Sequence, residues 1–88
     1  MQVDFSPKAQ NQLTEYKNAG DKKSLGKVFD IIEDILKTPF TGIGKPEPLK
    51  YNLSGMWSRQ INKKDRLVYQ VDSQVLMIIS IKGHYEDK

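Results

Sequence analysis

Met56-Trp57-Ser58-Arg59-Gln60-Ile61, then Asn62-Lys63-Lys64, then Asp65-Arg66-Leu67-Val68-Tyr69-Gln70-Val71: this stretch decides the fold. Its two runs alternate with period two, the signature of half-buried strands. Trp57, Arg59 and Ile61 share one side of the first run. Leu67, Tyr69 and Val71 share one side of the second, with Arg66, Val68 and Gln70 on the other. Asn62-Lys63-Lys64 reads as the turn between them, and Asp72-Ser73 as a tight turn into a third strand. That third run, Val75 to Ile81, is almost wholly apolar, which predicts a central strand covered on both faces.

Working backwards, Thr38 to Gly55 holds three Pro and three Gly in eighteen residues and reads as an ordered loop. Before it the period changes to that of a helix. Leu25, Val28, Phe29, Ile32, Ile35 and Leu36 form an apolar stripe, with Asp21 placed to cap its start and Thr38-Pro39 to stop it. An earlier helix carries Ala9, Leu13 and Tyr16, starts at Ser6-Pro7 and ends at Asn18-Ala19-Gly20. Gln2 to Phe5 predicts a short first strand with Val3 and Phe5 on one face. The expected fold class is therefore α+β. An N-terminal strand and a helical hairpin pack on one face of a twisted antiparallel β-sheet, leaving the other face free.

The chain of 88 residues is expected to form a single domain, 1–88, with a modest core. It has no cysteine and one histidine, which excludes disulfides, Cys-based zinc sites and His-rich metal sites. No cofactor or metal is expected. The apolar run Val75–Ile79 is far shorter than the ~20 residues of a membrane span, and Met1-Gln2-Val3-Asp4 does not resemble a signal peptide, so a soluble cytoplasmic protein is the expectation. The net charge of +3 is unevenly placed. Residues 1–37 sum to zero, residues 38–66 carry six Lys or Arg against Glu47 and Asp65, and residues 67–88 sum to −1. A basic segment of this kind suits a polyanion or is simply a solvated surface.

Within that segment Glu47 lies between Lys45 and Lys50 and is flanked by Pro46 and Pro48, whose rings fix the backbone on either side. Arg59 and Arg66 follow on strands, and the single His84 stands beside Tyr85. An acid, several cations and one imidazole suffice to move protons and charge at a phosphodiester. Read alone, Glu47 is equally an exposed loop acid paired with Lys45 or Lys50, and His84 a surface residue. For His84, strand parity places it with Ser80 and Lys82, opposite Met77, Ile79 and Ile81, on the polar side.

Four blocks of spacing carry a family resemblance. Thr38-Pro39-Phe40 with Gly42-x-Gly44-Lys45-Pro46-Glu47-Pro48-Leu49-Lys50, Asn52-Leu53-Ser54-Gly55-x-Trp57-Ser58-Arg59, Arg66-Leu67-Val68-Tyr69 and His84-Tyr85 closely resemble the Txe/YoeB toxins of the RelE/ParE superfamily of type II toxin–antitoxin systems. The resemblance implies a RelE-like microbial RNase fold and a ribosome-dependent endoribonuclease that cuts mRNA in the decoding site. It further implies inhibition by a YefM/Axe-type antitoxin, and toxin homodimers. It maps catalytic positions to Glu47, Arg66 and His84, with Lys50, Arg59 and Tyr85 in support.

In that scheme Glu47 is the base toward the 2′-OH and His84 the acid toward the leaving 5′-oxygen. Arg66 stabilises the phosphate, Lys50 and Arg59 hold flanking phosphates or the transition state, and Tyr85 stacks on a base. Trp57 and Tyr69 are expected in the core. Lys45, Lys63 and Lys64 attract RNA generally or are solvated surface. The chain departs from the family pattern in Glu86-Asp87-Lys88 after the His-Tyr pair and in Lys82-Gly83 before it. Two rivals use the same residues differently: a non-enzymatic, ParE-like gyrase inhibitor, and an RNA-binding module without cleavage.

Overall fold

A computed structural model describes residues 1–83, so the expectations for His84 and Tyr85 lie outside the described residues. The elements run β1 (Gln2–Phe5), α1 (Pro7–Asn18), α2 (Lys22–Lys37), β2 (Glu47–Pro48), a 3₁₀ turn (Tyr51–Leu53), β3 (Trp57–Gln60), β4 (Arg66–Asp72) and β5 (Val75–Gly83). Both helix starts follow from their local chemistry. Ser6 Oγ accepts from Ala9 N at 3.0 Å with Pro7 in the first turn, and Asp21 Oδ1 accepts from Ser24 N at 3.0 Å.

The sheet order is β1-β5-β4-β3-β2. The β2–β3, β3–β4 and β4–β5 pairs are antiparallel, but β1 lies parallel to β5, with Val3 opposite Leu76 and Phe5 opposite Ile78. The sheet is thus mixed rather than wholly antiparallel. The helical hairpin carries the chain from β1 across to the far edge, and the last strand returns to fill the place beside β1. That makes apolar β5 an interior strand, as its composition predicts. The proline- and glycine-rich loop also contains a strand not expected from sequence, the short edge strand β2.

One face of the sheet packs on the helices through Tyr16, Val28, Ile31, Ile35, Ile61, Leu67, Tyr69, Leu76, Ile78 and Ile81. Tyr69 is fully buried, whereas Trp57 is partly buried against the core and lies 4.8 Å from the Phe40 ring. The buried stripe of α2 is Ser24, Val28, Ile31, Ile32 and Ile35. It is rotated from the expected one, so Phe29 (47% exposed) and Leu36 (41%) point outward.

Strand β5 breaks the expected parity. Its pairing with β4 shifts register between Arg66 and Val68 and again between Val68 and Tyr69. Leu76, Ile78 and Ile81 therefore all reach the core, and Lys82 turns to the helices, 3.1 Å from Glu15 Oε1 and over the Tyr16 ring. Gln12 Oε1 accepts from both Ile81 N (2.8 Å) and Lys82 N (3.2 Å), satisfying the backbone donors that the irregularity frees. Counting in twos from Ser80 consequently does not assign a face to the end of this strand.

Candidate active site

On the sheet face away from the helices, Glu47 of β2 stands opposite Ser58 of β3, and Ser58 stands opposite Val68 of β4. Pro48 is tolerated because β2 is the edge strand. Arg66 opens β4, between Gln60 on β3 and Gly83 on β5. Its Nε donates to Ser58 Oγ at 2.9 Å, and its Nη2 donates to the carbonyls of Lys45 at 3.0 Å and Ser58 at 3.3 Å. Lys45 supplies that carbonyl from a left-handed backbone conformation, φ 52°, which a residue with a Cβ seldom adopts.

The same Nη2 lies 3.8 Å from Glu47 Oε1, with the two side chains 18% and 44% exposed. A charge-assisted hydrogen bond runs about 2.7–2.9 Å, so the arginine attracts this carboxylate without clamping it. The sequence-predicted Glu47 and Arg66 are therefore brought together. Lys50 is exposed and leads into the 3₁₀ turn just beyond them. Beside it Tyr51 is 80% exposed at φ 58°, an aromatic that the strand-based sequence reading passed over. Its place beside Lys50 in the Pro/Gly loop was the available signal.

Arg59 is placed elsewhere. It is fully buried and faces the helices with Trp57 and Ile61. All five of its N–H donors are used: Nε to Tyr69 Oη (3.2 Å), Nη1 to Asp34 Oδ2 (2.6 Å) and Ile43 O (3.2 Å), Nη2 to Thr38 O (2.7 Å) and Thr41 O (2.9 Å). The expectation that Arg59 holds a flanking phosphate is corrected by this burial. It ties the loop 38–43 to α2 and β3, and that loop delivers Lys45 and Glu47 to the opposite face.

Tyr69 Oη also donates to Pro39 O at 2.7 Å. Gly44, at φ 80°, leaves room where a Cβ would come within 3.1 Å of Arg59 Cβ and Gln60 O. The Arg59 guanidinium, then the Ile43 N–H, hold the Asp34 carboxyl below its usual pKa. Burial raises the pKa of the Tyr69 hydroxyl, opposed by Arg59. Asp34 and Ser58 were not singled out from sequence. Asp34 contacts Arg59 across twenty-five positions, and only the alternation placing Arg59 with Trp57 and Ile61 hinted at burial.

Fold and site together define a small α+β protein whose helical hairpin backs a mixed sheet and whose opposite face joins a carboxylate to an oriented arginine, over the buried Ser58 and Val68. The family described as YoeB-like toxin of bacterial type II toxin-antitoxin system matches residues 5–85. Toxin YoeB of Synechocystis sp. is 54% identical over 66 residues, covering 75% of this chain and 77% of that protein. Among solved structures, a YoeB dimer from Staphylococcus aureus superposes with TM-score 0.90 at 41% identity, covering 97% of this chain and 98% of that one. A heterotetrameric YoeB-YefM toxin-antitoxin complex from the same organism gives TM-score 0.86 at 41% identity, with the same coverage. The chain belongs to the YoeB-like toxin family of bacterial type II toxin–antitoxin systems.

Proposed function

We propose that this toxin is an mRNA endoribonuclease acting in the ribosomal decoding site, with the RNA 2′-OH as its nucleophile. The observation that carries the reading is the approach of Glu47 to Arg66, 3.8 Å apart, on the sheet face away from the helices. Glu47 takes the 2′-OH proton, the oxygen attacks phosphorus, and the bond to the 5′-oxygen breaks. Arg66, oriented by Ser58, stabilises the crowded phosphate. His84, one residue beyond the Gly83 that pairs with Arg66, is assigned the proton for the leaving 5′-oxygen. Lys50 holds a neighbouring phosphate and Tyr85 stacks on a base. The products are a 2′,3′-cyclic phosphate, or the 3′-phosphate it hydrolyses to, and a 5′-hydroxyl.

The partners proposed are a YefM-type antitoxin and a second copy of the chain, by similarity to the S. aureus assemblies. Among the described residues no helix is long and apolar enough to cross a membrane. Action on translating ribosomes would place the protein in the cytoplasm.

The test is to add purified protein to translating ribosomes and map mRNA 5′ ends, with Glu47→Gln and His84→Gln alongside. New ends with the wild type and few with the variants are expected. Arrest of translation without new ends refutes cleavage, and loss of gyrase activity instead favours the ParE-like alternative.

A further inference from the structure

Tyr16 of α1 puts its hydroxyl into the core between the start of β4 and the end of β5. The oxygen lies 2.7 Å from Asp65 Oδ2 and 3.3 Å from the carbonyl of Ile81. Its single proton goes to the carboxylate, the nearer of the two, with the carbonyl as a second, weaker acceptor. Tyr16 is 4% exposed and Asp65 3%. Burial, and then the Asp65 carboxylate, push the pKa of this hydroxyl above its ordinary value, so it stays a donor.

Both contacts fall next to groups that the nuclease reading needs. Asp65 precedes Arg66, and its backbone is held as well as its side chain. Asn62 Oδ1 accepts from Asp65 N at 2.7 Å, and Asp65 O accepts from Ile61 N at 3.0 Å. Successive side chains of an extended chain leave on opposite sides. Asp65 pinned toward α1 therefore aims Arg66 at the other face, where Ser58 and Glu47 meet it. On β5, the Ile81 N–H donates to Gln12 Oε1 at 2.8 Å and the Ile81 carbonyl faces Tyr16, so α1 grips both backbone polar groups of one residue. Gly83, two residues on, pairs with Arg66, and His84 follows it in the sequence.

Stability alone does not call for this arrangement. Taking a carboxylate out of water is expensive, and an apolar pair of similar volume closes a core at less cost. What a charge-assisted hydrogen bond adds over apolar packing is direction. Here that direction is shared by the ends of two strands whose pairing is irregular, with register shifts between Arg66 and Val68 and between Val68 and Tyr69. A ladder interrupted in this way does not by itself fix how its two ends sit against each other. The Tyr16 hydroxyl, reaching both ends at once, does.

We propose that Tyr16 is a positioning residue for cleavage, acting through Asp65 to aim Arg66 and through Ile81 to set the end of β5 that leads to His84. It touches no RNA itself, because it is buried on the helical side of the sheet while Arg66 works on the other. The inference rests on the nuclease reading for what Arg66 and His84 do. The placement of Arg66 is measurable without any RNA.

Two measurements test it. In the first, heteronuclear NMR follows the Nε–H resonances of Arg59 and Arg66, the only arginines of the chain, in wild type and Tyr16→Phe. Tyr16→Phe should shift the Arg66 resonance and speed its exchange with water, and leave that of Arg59 in place. In the second, single-turnover cleavage on programmed ribosomes is read against toxin concentration for the same two proteins and for Val28→Ala, a truncation in the core on α2. Tyr16→Phe should lower the maximal rate about tenfold or more at an unchanged half-saturating concentration, since a misplacement of about 1 Å can cost ~10²-fold. Val28→Ala should lower Tm at least as far and keep the rate. An Arg66 resonance unmoved by Tyr16→Phe, an equal shift in Arg59, an unchanged maximal rate, or an equal rate loss in Val28→Ala overturns the proposal. If the wild type cuts no mRNA, the nuclease reading fails alone, and the Arg66 resonance still decides whether Tyr16 places that side chain. Wild-type cleavage beside an unmoved Arg66 resonance refutes this inference alone.

Discussion

Arg59→Met separates scaffold from chemistry. The substitution keeps an unbranched apolar stem in a fully buried position but deletes five hydrogen bonds, one of them to Asp34 at 2.6 Å. Each bond contributes roughly 0.5–1.5 kcal/mol net, and removing one partner of a buried pair costs about 3–5 kcal/mol. The Asp34 side chain is 27% exposed and regains water, which pulls the total toward the lower end, roughly 3 kcal/mol. For a chain of this size each kcal/mol is about 4–8 °C in Tm, so a fall of about 12–24 °C is expected.

Arg59→Lys recovers little, because an ammonium has three donors and no fork. Arg66→Met is the contrast. It removes a partly exposed side chain, so Tm should move by only a few degrees, while cleavage falls on the order of 10²–10³-fold. Thermal unfolding followed by circular dichroism, beside mapping of mRNA ends, reads both axes. If Arg59→Met melts within a few degrees of wild type and still loses cleavage, the residue acts on RNA and the clamp argument is wrong.

Acid should weaken the protein in a defined way. The carboxyls of Asp34, held low by Arg59, and Asp21, held low by the Ser24 N–H, contribute stability that is present above the unfolded value of about 3.9 and lost as pH falls through their folded values. Urea midpoints between neutral pH and pH ~2 should therefore fall more steeply for wild type than for Asp34→Asn or Asp21→Asn, and parallel curves would dismiss this source. Ser58→Ala frees Arg66 Nε, and the turnover rate should drop by about tenfold or more with little change in Tm, with Ser58→Thr restoring most of it. An unchanged rate would show that Ser58 does not orient Arg66. Tyr51→Ala should leave Tm within a degree or two but weaken binding of single-stranded RNA about 5-fold or more, since one base stacked on an aromatic contributes roughly 1–3 kcal/mol, while Tyr51→Phe binds normally. Equal affinity of Tyr51→Ala and wild type would remove the stacking role.

Local chemistry was the legible part of the chain. The Ser6 and Asp21 caps, the alternation in β3 and β4 and the apolar run of β5 are written within a few residues of where they act. What escaped depends on distant partners. The parallel pairing of β1 with β5 is decided by where the helical hairpin deposits the chain. The outward turn of Phe29 and Leu36 follows from how α2 rolls against the sheet, which puts Ile31 inside instead. Parity in β5 failed because two register shifts intervene, stabilised by Gln12 from α1.

At the site, Glu47 and Arg66 were singled out because the resemblance to the family and their charge pointed the same way, and the fold sets them 3.8 Å apart. Arg59 was misread because a guanidinium on a strand looks the same in sequence whether it meets phosphate or a ring of carbonyls. Its shared side with Trp57 and Ile61 carried the correct answer.

The most direct measurement is the single-turnover rate of mRNA cleavage on programmed ribosomes for wild type against Glu47→Gln, with ribosome binding measured in parallel. Glutamine keeps the shape and cannot take the 2′-OH proton, so the rate should fall about 10²–10⁴-fold while binding holds. A Glu47→Gln rate within a few-fold of wild type would contradict the account at its centre.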